Sequence, residues 1–100
     1  MILYNVTVNI DPEVHDEWVQ WMKTKHIPDV LATGMFTENR FLRVLNTEEG
    51  EGVTYSIQYT APSMEHYEQY RSVFAPALQA EHTDRYRNRF VAFRTLLEWA

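Results

Sequence analysis

Histidines and tyrosines are the residues of this chain that could carry chemistry near neutral pH, since the sequence contains no cysteine. The histidines lie at positions 15, 26, 66 and 82, and His26 differs from the others because it precedes Pro28 by two residues. A ring held by packing beside unpaired backbone carbonyls can have a pKa near neutrality, which suits proton transfer. The sequence therefore indicates His26 as a candidate catalytic acid or base.

The structural alternative is that His26 only caps a helix. An apolar stripe at helical spacing predicts a helix that begins after Asp11, and its members are Val14, Trp18, Trp21 and Met22. Pro28 lacks an N–H and disfavours α conformation at Ile27, so we expect the helix to end or kink at His26–Ile27. A histidine there would interact favourably with the negative end of the helix dipole. Gly34 should then close a short second helical turn.

A pocket between the helices and the sheet would collect several imidazole and phenol groups. The candidate ligand-binding residues are Trp21 and His82 on helices and Tyr4 and Tyr55 on strands. Such groups in an apolar cavity could hold an aromatic or carbonyl compound and move a proton. The alternative is that these aromatic side chains are packed core, as we expect for Tyr59 and Tyr67.

The remaining histidines do not suggest a metal site. No two histidines stand four residues apart, and no His-x-His pair occurs. We expect His15 and His66, near the starts of helices, to be exposed and without a role. The sequence therefore predicts no metal and no cofactor, although His26 and His82 could still converge in space.

Hydrophobic periodicity predicts four strands and two helices in a single domain over residues 1–100. Alternating or apolar segments mark strands at 2–10, 36–45, 53–60 and 90–99. Helices start at the caps Asp11-Pro12 and Pro62-Ser63, and Pro76 interrupts the second. An acidic hairpin loop with two glycines spans 46–52. The order β-α-β-β-α-β predicts an α+β, ferredoxin-like fold, in which both helices cover one face of a four-stranded antiparallel sheet.

Composition argues against several classes of partner. The formal net charge is −5 and no basic stripe occurs, so nucleic acid and anionic membrane surfaces are poor candidates. No apolar run reaches the roughly 20 residues of a membrane span, and no signal peptide is predicted. We expect a cytoplasmic protein.

The sheet face that the helices leave uncovered predicts a homodimer. Strands one and three present no charged side chain there, and their polar residues on this face are Asn5, Thr7, Asn9, Thr54, Ser56, Gln58 and Thr60. The last strand adds apolar residues to both faces. A lone monomer would normally carry charges on a solvent-facing sheet. We therefore expect two sheets to meet face to face, the alternative being that these residues simply tolerate solvent.

The element order, with HIPDVLATGMF after the first helix and APALQAEH in the second, resembles the dimeric α/β-barrel proteins. More closely, YNVTVNID, WMKTKHIPDVLATGMF, FAPALQAEH and FVAFRTLLE resemble a small bacterial family of unknown function, domain of unknown function 4286. This resemblance implies the dimeric barrel but no assigned activity. The wider superfamily includes cofactor-free monooxygenases, isomerases, haem-degrading enzymes, YCII-like proteins and binding modules. Several of its enzymes have a histidine near the end of the first helix followed by proline, a position that His26 matches.

Two hypotheses follow from these observations. The favoured one is a homodimer without catalysis that binds a small ligand, or a protein through its acidic first helix and hairpin. It is favoured because the aromatic side chains are large enough to fill the space around His26. The alternative is a cofactor-free or haem-dependent enzyme, such as a monooxygenase or isomerase, with His26 as acid or base and Tyr55 or His82 assisting.

Overall fold

Strands and interrupted helices alternate in the order that the sequence predicts. The computed structural model describes residues 1–46, 50 and 52–100. Its strands are β1 Ile2–Ile10, β2 Glu38–Arg43, β3 Val53–Ala61 and β4 Phe90–Glu98. Its α-helices are α1 His15–Trp21, α2 Ile27–Ala32, α3 Met64–Gln69 and α4 Ala75–Arg85, and a 3₁₀ turn, Pro12–Val14, precedes α1. A first π turn, Met22–His26, joins α1 to α2, and a second π turn, Tyr70–Phe74, joins α3 to α4.

The strands form one antiparallel sheet in the order β2-β3-β1-β4. Tyr4 of β1 lies opposite Tyr59 of β3 and Leu96 of β4, so every second residue of each strand faces the helices. This is the predicted α+β, ferredoxin-like arrangement.

The core lies between this inner sheet face and the helices. Its buried side chains include Ile10, Trp18, Val30 and Ile57. Tyr59 and Tyr67 are also buried, which confirms the prediction that they belong to the core.

Both helices continue through their prolines, so of the two outcomes expected at His26–Ile27, an end or a kink, the end does not occur. Ile27 keeps α conformation, with φ −62° and ψ −46°, and its N–H donates to the carbonyl of Met22. This five-residue step widens the turn, which relieves the clash between a proline ring and the carbonyl of the preceding turn. Pro76 follows the second π turn in the same way, and the N–H of Ala75 donates to the carbonyl of Tyr70.

Local signals set the other boundaries. The carboxylate of Asp11 accepts from the N–H of Glu13 at 2.8 Å, and the hydroxyl of Ser63 accepts from the N–H of His66 at 3.3 Å, so both caps are confirmed. Gly34 has φ +78° just after α2, as expected of a helix-terminating glycine.

β2 is shorter than the predicted 36–45, because Phe36 is already buried in the core before the strand begins. The predicted hairpin loop falls largely on residues 47–49 and 51, which lie outside the described residues. Within the described ranges, no helix is both long and apolar enough to cross a membrane. The cytoplasmic location stays a prediction.

Candidate functional site

The first π turn sets the position of His26. This residue ends the turn, four residues after Met22, and both side chains face the inner sheet surface. The His26 ring stacks on Trp21, with ring centroids 5.2 Å apart and planes at 28°. Its other neighbour is His82 of α4, at a centroid distance of 5.6 Å. The predicted convergence of His26 and His82 therefore occurs.

A hydrogen bond from Trp18 defines the state of His82. The indole Nε1 of the buried Trp18 lies 2.9 Å from Nε2 of His82, in the buried part of the site. An indole nitrogen can only donate, so Nε2 accepts and the neutral ring carries its proton on Nδ1. Burial, with smaller contributions from the nearby His26 and Arg94, lowers the pKa of His82 to about 4. His82 is therefore a neutral, fixed ring at neutral pH rather than a proton-transfer group.

His26 differs from His82 because its Nδ1 has no partner. Among the described residues, it is the buried side-chain polar atom that makes no hydrogen bond. Burial also lowers the pKa of His26, against the opposite effects of Glu81 and Asp29. A neutral imidazole with an unpartnered buried nitrogen can accept a hydrogen bond from a ligand or take a proton from it. The capping interpretation does not account for this atom.

His26 and His82 line a cavity of about 50 Å³ between the helices and the inner sheet face. The apolar part of its wall comes from the inner faces of β1, β3 and β4 and from the first π turn and α2, as Val6, Val8, Met22, Val30, Ile57, Phe90 and Ala92. Polar side chains complete the lining, namely Tyr4, Tyr59, Tyr70, Gln79, Thr83 and Arg94. A cavity of this size holds roughly four water-sized spheres, so it admits a small ligand rather than a large ring system.

Arg94 and Tyr4 form a hydrogen-bonded pair in the cavity lining. Nε of Arg94 donates to the hydroxyl oxygen of Tyr4 at 3.1 Å. Burial raises the pKa of Tyr4, while the guanidinium lowers it, so the phenol stays protonated at neutral pH. Because the oxygen already accepts from Arg94, the O–H of Tyr4 can donate to a bound molecule.

The predicted site residues separate into three groups. His26, His82 and Tyr4 line the cavity together. Trp21 stacks on the far side of His26 and shapes the site without lining the cavity. Tyr55 lies elsewhere, because its hydroxyl is 2.7 Å from Nε2 of His15 and its ring packs on Trp18.

His15 corrects another prediction. The sequence predicts an exposed residue without a role, but its side chain is only 21% exposed, its ring stacks on Tyr55 at 5.6 Å and its Nδ1 lies 2.9 Å from the Asp16 carboxylate. The helix start packs against the end of β3, which no residue pattern near His15 indicates.

Arg94 and Gln79 are the cavity residues that the sequence reasoning missed. Arg94 is the one charged residue between positions 90 and 97, an otherwise apolar or small stretch. The alternation of β4 places it on the inner face with Phe90 and Ala92, and this unusual position was the available signal. Gln79 lies on α4 one turn before Thr83, with no comparable signal.

The described residues do not assemble a metal-binding group. No three histidine, aspartate or glutamate side chains come together within residues 1–46, 50 and 52–100. His82 cannot offer Nε2 as a ligand while it accepts from Trp18.

Solved structures share this fold over their whole length. An MhuD variant crystallised with two manganese protoporphyrin IX molecules per active site is 16% identical, with a TM-score of 0.73 over 100% of this chain and 95% of that one. An ethyl tert-butyl ether D (ethd) family protein from Bacillus halodurans is 13% identical, with a TM-score of 0.70 over 100% of both chains. A dimeric ferredoxin-like protein from an uncultured marine organism is 11% identical, with a TM-score of 0.67 over 99% of this chain and 97% of that one. These likenesses show the ferredoxin-like fold.

Sequence comparison gives the family. No curated protein matches the chain significantly. The family model described as Domain of unknown function (DUF4286) matches residues 1–100, so the chain belongs to that family, as its motifs indicated.

Proposed function

We propose that this protein is a homodimeric α/β barrel that binds a small molecule in the cavity beside His26. The observation that carries the proposal is the buried, unpartnered Nδ1 of His26, a residue that lines that cavity. A buried polar atom left without a hydrogen bond costs about 1–3 kcal/mol, so such atoms normally have a partner. A ligand that donates to Nδ1 would supply this partner.

The shape of the site supports ligand binding rather than a filled core. The two tryptophans near the histidines lie outside the cavity lining. Trp21 stacks on the ring of His26, and Trp18 donates a hydrogen bond to His82. Both histidine rings are thereby held in place before a ligand arrives. A preformed site of this kind loses little side-chain entropy on binding.

The uncovered sheet face supports the homodimer. Its small polar side chains bond to each other: Ser56 donates to Asn5 at 2.6 Å, and Asn9 donates to Thr54 at 3.1 Å. On the same face of β4, Val91 and Phe93 are 72% and 63% exposed. A self-satisfied polar network beside exposed apolar residues can be buried at little cost against a second copy. One of the similar structures is of a dimeric protein.

Binding is tested by NMR titration of the histidine ring signals with small organic fragments, both acids and their neutral amides. We expect the signals of His26 and His82 to shift saturably with at least one fragment, and the His26→Phe variant to lose that response while staying folded. His66→Phe, a histidine outside the cavity, is the matched control. Fragments that leave the His26 signals unchanged would contradict the proposal.

The dimer is tested separately by sedimentation equilibrium. We expect the wild-type mass to be twice the 11.9 kDa of one chain. Phe93→Glu should give a monomer, because a charge buried in the sheet interface has no partner there. Arg87→Glu, on the helix side, should remain dimeric. A monomeric wild-type protein would contradict this part of the proposal.

A second candidate function is proton transfer on the bound molecule. It is favoured by the lowered pKa of His26, which keeps the ring neutral and able to accept a proton at neutral pH. Nδ1 of His26 would take a proton from a carbon next to a carbonyl, and the electron pair would move onto the carbonyl oxygen. Donors from Arg94 and Tyr4 would stabilise that oxyanion. Return of the proton to the same carbon would exchange its hydrogen, and in a β,γ-unsaturated carbonyl compound return to the γ carbon would move the double bond and isomerise the ligand.

The proton-transfer candidate is tested by exchange of carbon-bound hydrogen for deuterium in hydroxyacetone, followed by NMR. Exchange that depends on His26 and is lost in His26→Phe would establish it. If carbon-bound hydrogen exchanges at the uncatalysed rate in every carbonyl fragment that binds, the proton-transfer candidate is wrong and the protein only binds its ligand.

A further inference from the structure

Arg94 differs from the arginines that pair with carboxylates. Arg71, Arg85 and Arg89 each lie within about 3 Å of a carboxylate, on Glu68, Glu17 and Asp11 respectively. Within the described part of the chain, no carboxylate lies within 4.0 Å of Arg94. Its side-chain partner there is the neutral phenol of Tyr4. A guanidinium in a cavity wall without a counter-charge favours an anion in that cavity.

The cavity lining adds to this preference. The protein has a net charge of −5, with 14 acidic residues against nine basic ones, yet the lining contains no aspartate or glutamate. The charge of Arg94 is therefore not cancelled by its neighbours in the wall. Arg94 is itself an exposed residue, so its attraction for an anion is that of a partly solvated guanidinium.

The donors and acceptors of the lining define the rest of the ligand. Arg94 and the O–H of Tyr4 are donors, so they match the oxygens of a carboxylate. Nδ1 of His82 also carries a hydrogen, because Nε2 accepts from Trp18. Nδ1 of His26 is unpartnered, and in the tautomer that carries its proton on Nε2 it accepts from a hydroxyl group.

We propose that the ligand is a small hydroxy-carboxylate anion, whose carboxylate binds Arg94 and Tyr4 and whose hydroxyl donates to His26. This inference rests on the proposed binding function and names the class of ligand. The cavity volume of about 50 Å³ limits it to a few heavy atoms, as in glycolate or lactate. One oxygen-rich molecule of this size would satisfy both the guanidinium and the orphan nitrogen.

The test measures affinities by NMR titration, with lactate, lactamide and propionate as probes. Lactamide keeps the shape but loses the charge, and propionate keeps the charge but loses the hydroxyl. We expect lactate to bind about tenfold or more tighter than either analogue, as is usual for losing one charge-assisted or buried hydrogen bond. Arg94→Gln should weaken lactate about tenfold to a hundredfold and leave lactamide nearly unchanged.

Arg43→Gln is the matched control, because Arg43 is outside the cavity lining and its loss changes the net charge equally. If Arg43→Gln weakens lactate as much as Arg94→Gln does, the effect is general charge attraction and the inference is wrong. Arg94→Lys should recover part of the affinity, since the charge returns without the forked donors.

The outcomes separate the inference from the proposed function. Equal binding of lactate and lactamide at the His26 signals would overturn the anion preference but keep small-ligand binding. Equal binding of lactate and propionate would overturn the hydroxyl contact. If none of the probes and no neutral fragment shifts the His26 signals, both the inference and the proposed function fail.

Discussion

The two π turns are built alike, yet only one carries a histidine. Met22 and Tyr70 open the turns, are both buried and both line the cavity. Thr24 and Ser72, two residues on, donate through their hydroxyls to the carbonyl four residues earlier, at 2.7 and 2.9 Å. Each turn is then followed by a proline after one intervening residue. The same short sequence pattern therefore produces a π turn at both places.

The difference lies at the last residue of each turn. The first turn ends in His26, whose Nδ1 has no partner, and the second ends in Phe74, which has no polar side-chain atom. Since the second turn forms without a histidine, backbone geometry does not require one at position 26. The geometry of the turn therefore does not account for a histidine at position 26.

The largest loss of stability should come from truncating the buried residues that open the two turns, Met22 and Tyr70. Met22→Ala should cost about 2–5 kcal/mol and Tyr70→Ala about 3–5 kcal/mol, because each truncation enlarges a cavity in the core. Guanidinium unfolding with an unchanged m-value measures this loss. Lys23→Ala, an exposed residue of the same turn, is the control and should change stability by less than about 0.5 kcal/mol. A small loss for Met22 and a large one for Tyr70 would show that the turns are not energetically equivalent.

The free energy of unfolding should depend on pH through the titration of His82. The pKa of His82 is about 4 in the folded protein, below its usual 6.5, so the unfolded chain takes up the proton first as pH falls. Stability should therefore fall between about pH 6.5 and pH 4, by about 3 kcal/mol from this group. His82→Gln keeps an acceptor for Trp18 but does not titrate. The difference in unfolding free energy between the two proteins should shrink as pH falls through this window, and a constant difference would contradict the assignment.

The smallest effect should come from making the two turns identical. His26→Phe removes an unpartnered polar atom and introduces the side chain that the second turn already has. We expect stability to be unchanged or raised by up to about 1 kcal/mol, measured by thermal and chemical unfolding, since the desolvation cost of Nδ1 is removed. Phe74→His serves as the reverse exchange and should not raise stability. A large loss in His26→Phe would mean that the histidine holds the turn together after all.

Local patterns account for most of the fold that could be predicted. Alternation along β1 and β3 and the caps at Asp11 and Ser63 depend on neighbouring residues only, so they are visible in the sequence. The helix end expected before Pro28 was predicted wrongly because proline was weighed against an ordinary α-helix. The π turn that absorbs it also depends on packing of Met22 in the core. Its similarity to the second turn spans seven residues, too few to stand out as a repeat.

The sequence by itself determined the strand and helix order and the inward face of each element, because periodicity acts over a few residues. It also indicated His26 as a candidate, through the proline that follows it. Only the tertiary structure decided which polar groups meet. Trp18 and His82 are 64 positions apart, and Tyr4 and Arg94 are 90 apart. Pairing at such separations depends on strand register and on how the helices lie across the sheet, which no local pattern contains. For the same reason Tyr55 joined His15, and the arginine of β4 became part of the candidate site.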